Sequence, residues 1–534
     1  MKRSVLMPML TFGAIVVIAI VFLQKNKNQL NAPAPYPNII FIMADDMGYG
    51  DIGALNPDSK IPTPNMDRIA AEGMYFTDAH SYSGVCTPTR YGVVTGRYAF
   101  RTRLASGVLG GHDVSLIEPG RETVATLLGR AGYRTACVGK WHLGLDYRKK
   151  DLSRPLYDGG GFGSTTLTDN VDYTAPVDGG PTDHGFDYSY ILPASLDMQP
   201  YIYISNKRVV NSDIEHIEEI NDQERRIFWR HGDAEKGFDF YNVLPHLTGK
   251  ALSFVRDHMR MKPAQPFFLY YPLTAPHTPH MPLPEFEGSS EAGRYGDFVT
   301  QVDFSVGQLL ELVDSLGISG NTLFIVTSDN GNHWRPRDIE RYSHLGNYHF
   351  RGMKSDVWEG GHRVPFLVRW PGVIEQGSSS DRLVCLTDLL ATCCELTGQK
   401  LDWNTGEDSF SFLSALSGES SKGELSGGNL ANVELGEGES SGGEPSGWEE
   451  RSSMINQAIS EVFAIRSENW KLITDMSSGG WSRNEITEGP PMQLYDLSVD
   501  VGEQNNLYEE MPEKVAKLEA LLAMFRKEGR SRFN

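Results

Sequence analysis

Two segments of this sequence place carboxylates where a cation could sit. The apolar run Asn38-Ile39-Ile40-Phe41-Ile42-Met43 ends in Ala44-Asp45-Asp46, and Thr322-Leu323-Phe324-Ile325-Val326-Thr327 ends in Ser328-Asp329-Asn330-Gly331. Each run has the length and β-rich content of a buried strand. Two such strands in one sheet would deliver three carboxylates and an amide to the same rim. Crowded carboxylates are costly unless a cation neutralises them. An all-oxygen donor set suits a hard ion, calcium or magnesium, better than zinc. Either pair alone reads as turn or helix-cap chemistry. Their coincidence at two strand ends favours a metal.

A second group is cationic. It comprises Arg90, Lys140 with His142 in Gly139-Lys-Trp-His-Leu-Gly, His277 in Ala275-Pro-His-Thr-Pro-His280, and Lys354 in Arg351-Gly-Met-Lys. Singly, each reads as a solvated charge or a satisfied histidine, and His280 is taken as such a bystander. Gly and Pro around Lys140 and His277 indicate rigid loops rather than amphipathic faces. Five cysteines is an odd number, so at least one is unpaired or chemically special. Cys137 lies in an apolar run, and Cys385, Cys393 and Cys394 lie in or beside a helical pattern, where burial accounts for them. There is no CxxC and no Cys/His zinc spacing. Cys86 differs: in Cys86-Thr87-Pro88-Thr89-Arg90 it occupies a polar turn sequence where core packing gives it no role.

The elements that must position these groups follow from periodicity. Strands are expected over 38–43, 266–271, 322–327 and 364–369, and helices over 65–72, 123–131, 245–259 and 296–315. Alternation of the two predicts an α/β layered core, whose ligands bind beyond the carboxyl ends of the strands. A chain of 534 residues has room for a large core and an accessory unit. Residues 38–415 read as the main domain and 451–534 as a C-terminal unit, with a hairpin over 462–466 and 470–475 and a terminal helix opened by Pro512. Between them, 417–450 holds eight Glu against Lys422 and nearly repeats a Gly/Ser-rich decapeptide, which reads as a solvated insertion.

Lys2 and Arg3 followed by an apolar stretch from Val5 to Leu23 mark residues 1–30 as an export signal, cleaved or retained as an anchor. Either places the remainder outside the cytoplasm, in the periplasm, secreted, or held at the membrane only by that anchor. The formal charge of −20 argues against nucleic acid as a partner. An anionic substrate would therefore need concentrated local positive charge.

Cys86-Thr-Pro-Thr-Arg90 followed by Thr95-Gly96-Arg97 resembles the maturation signature of the type I sulfatases, the formylglycine-dependent branch of the alkaline-phosphatase superfamily. Asp45-Asp46, Gly139-Lys140-Trp-His142, Pro276-His277, Asp329-Asn330-Gly and Gly352-Met-Lys354 stand in the family's order, as do Leu494-Tyr-Asp-Leu497 and Asn505-Asn506-Leu507 near the C-terminus. The resemblance implies an alkaline-phosphatase-like α/β fold: a large mixed sheet between helices, with a small C-terminal antiparallel sheet packed by a terminal helix. It also implies one calcium ion on Asp45, Asp46, Asp329, Asn330 and residue 86, and oxidation of Cys86 to formylglycine by a formylglycine-generating maturation enzyme.

In that mechanism a hydroxyl of the hydrated aldehyde attacks sulfur, Asp329 taking its proton. His277 and Lys354 serve the leaving alkoxide, His142 deprotonates the second hydroxyl, and Arg90 and Lys140 position diol and sulfate. A further family position falls on Ser195 as a hydrogen-bond donor to sulfate. Export favours a sulfated poly- or oligosaccharide as substrate, with His333-Trp334-Arg335 available to line a sugar subsite and Trp334 equally readable as loop packing. A phosphodiesterase or phosphatase of the same superfamily and a non-catalytic sulfated-glycan-binding protein are the competing readings.

Overall fold

The computed structural model describes residues 36–154, 156, 168–224, 226–417, 448–482 and 489–533. The expected export signal over 1–30 lies outside the described residues, as does nearly all of the expected insertion over 417–450.

The main sheet has ten strands. In chain order they are β1 (Asn38–Asp45), β2 (Met74–Phe76), β3 (Arg134–Lys140), β4 (Tyr188–Leu192), β5 (Ile204–Ser205), β6 (Arg208–Val209), β7 (Phe267–Pro276), β8 (Thr322–Ser328), β9 (Phe366–Arg369) and β10 (Ser378–Ser380). Across the sheet the order is β10-β2-β9-β8-β1-β7-β3-β4-β5-β6. The central block β8-β1-β7-β3-β4 is parallel throughout, while β9 runs antiparallel to β8 and β2 to β9. Five strands therefore end on one edge.

All eight residues of β1 are buried, which is why it reads as a continuous apolar run rather than an alternating one. Its side chains still divide by parity. Ile39, Phe41 and Met43 enter a core shared with helices α2 (Cys86–Thr95), α3 (Val124–Arg130) and α6 (Leu389–Leu396). Ile40, Ile42 and Ala44 face α1 (Pro64–Glu72), α4 (Val243–Met261) and α5 (Gly293–Ser315). The result is the expected helix–sheet–helix sandwich. Its strands run further than periodicity suggested, β7 to Pro276 and β8 to Ser328, because pairing with β1 continues past the apolar residues.

The C-terminal unit is a four-stranded antiparallel sheet, β11 (Ser453–Gln457), β12 (Phe463–Ser467), β13 (Trp470–Ile473) and β14 (Gln493–Asp496), in sequential order. Helix α7 (Pro512–Glu528) covers it through Val515, Leu518, Leu522 and Phe525. Charge fastens this unit to the main domain. Arg466 bonds both oxygens of Asp78 at 2.7 and 2.6 Å. Lys471, fully buried, lies 2.9 Å from Glu359 and 2.8 Å from Glu503. Glu359 also takes Arg363 at 2.8 Å, and His80 bonds Asp78 at 2.8 Å and His362 at 3.0 Å.

Removing one partner from such a buried network leaves uncompensated charge, at about 3–5 kcal/mol. Lys471→Met should therefore lower the unfolding free energy by about that amount in denaturant titrations. Burial pushes Glu503 up to about 7, so this carboxyl binds its proton more tightly in the folded chain and favours folding below neutrality, an effect lost as pH rises through that value. The Lys471→Met deficit should accordingly be larger above neutrality than at mildly acidic pH.

Candidate active site

The residues of the site sit at the carboxyl edge of the parallel block, on loops folded over it, or on the helix that begins at Cys86. Asp45 ends β1 and Asp46 follows in a left-handed conformation with φ 67°. Such a conformation is strained for a residue with a side chain, though Asp tolerates it better than most. Asp329 and Asn330 follow β8, and the Asp329 amide donates to the Ala44 carbonyl at 3.0 Å, which locks the two strand ends together. Lys140 ends β3, and His142, also left-handed at φ 54°, follows it. Gly139 has φ 132°, and a Cβ there would sit 1.8 Å from the Pro272 carbonyl, so only glycine lets β3 deliver Lys140 this close to β7. His277 follows β7 directly.

Cys86 is not in a turn, as its polar neighbours suggested. It is the first residue of α2, a ten-residue helix buried along its whole length and ended by Gly96 at φ 65°. Proline at the third position is tolerated because the first amides of a helix have no intrahelical partner. The four-residue spacing then places Cys86 and Arg90 on one face of the helix. Cys86 is 3% exposed, and all five cysteines are unpaired.

The carboxylates and cations interleave. Asp329 Oδ2 accepts from Arg90 Nε at 3.0 Å and Nη2 at 2.6 Å, and Arg90 Nη1 donates to the Lys140 carbonyl at 2.9 Å. Asp45 Oδ2 takes Lys140 Nζ at 2.7 Å. Asp46 Oδ2 takes Lys354 Nζ at 2.6 Å and lies 3.6 Å from His277 Nε2, while Asp46 Oδ1 accepts from Asn330 Nδ2 at 2.7 Å.

Burial works to raise Asp45, yet Lys140, His277 and Arg90 hold it well below the usual carboxylate range. Asp46 is likewise held down against its burial, chiefly by Lys354. Asp329 goes the other way: burial and the Asp45 charge push it up to about 7 against the pull of Arg90. His142 is driven well below its ordinary value by burial and by Lys140. With Nε2 2.7 Å from the Leu109 carbonyl, a neutral His142 donates there and keeps Nδ1 as an acceptor. That Nδ1 is buried and has no partner. Burial also raises the Cys86 thiol, while Lys140 and Lys354 act against it.

Two of the expected metal ligands are incomplete as they stand. Asp45 Oδ1 and Asn330 Oδ1 are buried without a hydrogen bond, with Arg90 Nη2 3.4 Å from the first; this is costly unless another group meets them. Both are hard oxygen donors, so the residues present fit a calcium-type ion. One ligand atom each of Asp45, Asp46 and His277 lie within 4.8 Å of one another. His80, Glu359 and His362 form a comparable cluster, but their atoms are engaged in the charged network with Lys471 and Arg363 described above, which suits a structural fastening rather than an ion.

The structure thus brings together Asp45, Asp46, Cys86, Arg90, Lys140, His142, His277, Asp329, Asn330 and Lys354. The residues expected at the substrate end divide differently. Ser195, three positions after β4, is buried and its hydroxyl is unpartnered, as a donor awaiting a ligand would be. Trp334 is a packing residue: it is 4% exposed, its Nε1 donates to the His344 carbonyl at 2.8 Å, and its ring lies against Tyr295 and Tyr342. Arg335 is spent partly on Asp338 at 3.2 Å, at the start of the helix Pro336–Tyr342. Sequence reasoning missed Trp481 altogether. Its ring lies 5.7 Å from Lys354 Nζ and 5.0 Å from the His333 ring. No motif marks it, since it reaches the site from the C-terminal unit.

A family model described as Sulfatase matches residues 37–399. Among curated relatives, an N-acetylgalactosamine-6-O-sulfatase of Bacteroides thetaiotaomicron is 29% identical over 93% of this chain and 95% of its own length. Arylsulfatase A of Bos taurus is 31% identical over 92% and 89%. A solved 6S-sulfatase structure from glycosaminoglycan metabolism in Bacteroides thetaiotaomicron superposes with a TM-score of 0.75 at 29% identity, covering 92% of this chain and all of that one.

Asp45 pairs with Lys140 through Oδ2 and keeps a buried Oδ1 without a hydrogen bond. If calcium is the ion that meets these oxygens, Asp45→Asn should weaken its binding at least about tenfold by titration calorimetry, while leaving the mass of the peptide that holds residue 86 unaffected by the loss of the ligand.

Proposed function

Because this chain belongs to the sulfatase family and is a sulfuric ester hydrolase, we propose that it desulfates a sulfated glycan, with calcium at the acidic rim and a formylglycine made from Cys86. The observation that carries the reading is a pair of buried oxygens without a hydrogen bond, Asp45 Oδ1 and Asn330 Oδ1, on the rim that also holds Arg90, Lys140 and Lys354. Three carboxylates there face three permanent cations, so the side chains alone are close to neutral. Calcium held by Asp45, Asp46, Asp329 and Asn330 would supply the surplus positive charge that draws a sulfate oxygen and eases deprotonation of a hydroxyl beside it.

The chain's own groups then have distinct tasks. Residue 86, as the hydrated aldehyde, offers two geminal hydroxyls. Asp329 takes the proton of the attacking one. Arg90 and Lys140 hold diol and sulfate as fixed cations. His277 with Lys354 serves the departing alkoxide. His142, neutral and with a free Nδ1, takes the second hydroxyl's proton so that sulfate can leave. Ser195 donates its unpartnered hydroxyl to a sulfate oxygen.

The curated relative acting on N-acetylgalactosamine 6-sulfate aligns along nearly the whole chain, which makes 6-O-sulfated amino sugars the first substrates to test. Lys2-Arg3 and the apolar stretch to Leu23 support export, where such glycans are met. A superfamily phosphodiesterase would present Ser or Thr in place of Cys86, and two zinc ions per chain would favour it. A merely glycan-binding relative would have lost part of the rim, and every strong position is present.

Co-expression with a formylglycine-generating enzyme should yield a Cys86 peptide about 18 Da lighter than the cysteine form, and Cys86→Ala should abolish turnover. An unshifted peptide in a fully active enzyme would refute the nucleophile. In a panel of defined carbohydrate sulfates, the matured enzyme should release sulfate from 6-O-sulfated N-acetylgalactosamine or its oligosaccharides. Activity confined to aryl sulfates would overturn the glycan reading.

A further inference from the structure

Trp481 is 41% exposed, yet its surroundings are built with the care of a buried residue. Its backbone amide donates to Ser355 Oγ at 2.7 Å. Ser355 follows Lys354 in the chain and has φ 82°, an arrangement that is strained for serine and persists only where surrounding bonds hold it. Those bonds use every polar atom it has. Its amide donates to the Gly84 carbonyl at 2.6 Å, two residues before Cys86, and its carbonyl accepts from Ile459 of the C-terminal unit at 2.8 Å.

Asp356 completes the clip. Its Oδ1 accepts from Ser478 Oγ at 2.9 Å and from the Ser482 amide at 3.0 Å, and its Oδ2 from the Met353 amide at 2.9 Å. Gly480 makes the approach possible, because a Cβ there would lie 2.4 Å from both Asp356 Oδ1 and the Ser355 carbonyl. One loop of the C-terminal unit is thereby tied to the same short segment that delivers Lys354 to Asp46.

What the clip presents is an indole 5.0 Å from the His333 ring and 5.7 Å from Lys354 Nζ. The Lys354 ammonium is satisfied by Asp46 at 2.6 Å, and a tryptophan needed only for core packing would not be left half open beside it. An exposed, immobilised aromatic face next to charged groups is suited to the apolar C–H face of a pyranose, with little ordering entropy lost on binding. We propose that Trp481, backed by His333, is the stacking platform for the sugar ring that carries the sulfate, so that the C-terminal unit forms one wall of the substrate pocket. This rests on the glycan reading above.

The test separates binding of the sugar from binding of the anion. In the matured enzyme, Trp481→Ala should raise KM for a 6-O-sulfated saccharide about tenfold or more, with kcat within about threefold, and Trp481→Phe should recover most of the loss. Inhibition by inorganic sulfate, which has no ring to stack, should shift by less than about threefold in both variants. A saccharide KM unchanged in Trp481→Ala would overturn the platform. So would a loss falling equally on kcat and on sulfate inhibition, which would make Trp481 a cover for Lys354 instead. If the wild-type enzyme desulfates no saccharide, the failure lies with the glycan reading, and it takes the platform with it.

Discussion

Everything at the carboxyl edge of the sheet depends on a local balance of charge away from water. Asp45, Asp46 and Asp329 are gathered where none is exposed to more than a trace of solvent, and each is met by a cation from a different part of the chain. Isolated carboxylates in such a place would protonate or pull the strands apart. Arg90 from a helix, Lys140 from a strand end and Lys354 from a loop make the gathering tolerable. Although the whole chain has a formal charge of −20, these three cations bring the side chains of the rim close to neutral.

The geometry of the parallel block converts this balance into a site. Strands β8, β1, β7, β3 and β4 point the same way, so five loops converge on one edge, and the register Ala44↔Ser328 sets Asp45 and Asp329 side by side. The backbone is forced where the convergence is tightest: Asp46 and His142 both adopt left-handed conformations, and Gly139 stands where any side chain would collide. Left-handed residues occur elsewhere in the chain too, but at Asp46 and His142 the strained backbone aims a side chain into the site, as expected where function shapes the conformation.

Much of this was legible in the sequence because the informative residues lie next to elements with strong patterns. Runs such as 38–43 and 322–327 declare themselves as buried strands, and their terminal carboxylates follow automatically. Cys86 was recognisable as unusual, but its helix was not, since Thr, Pro and Gly in 87–92 weaken the helical pattern and only tertiary packing on both faces supports it. Trp334 stayed open between a sugar subsite and loop packing for a related reason. Its basic neighbours Arg335 and Arg337 suggest a surface, whereas its indole fills a space between Tyr295 and Tyr342 that periodicity cannot see. Trp481 was beyond reach altogether. Its position depends on two side chains, Ser355 and Asp356, more than a hundred residues earlier, and on a charged fastening between domains whose pairs, Asp78 with Arg466 and Glu359 with Lys471, are equally remote.

The two margins of the ten-stranded sheet bear on how the protein behaves in company. One margin is Ser378–Ser380, three short hydroxyl side chains; the other is the two-residue strand Arg208–Val209, whose arginine is exposed. Unpaired backbone along a sheet border invites a second chain to add itself, and the hazard grows with the length and flatness of the border. Here the broad, nearly all-apolar centre is fenced by margins too brief and too polar to template a neighbour. The sheet thus offers little regular border for a second chain to extend.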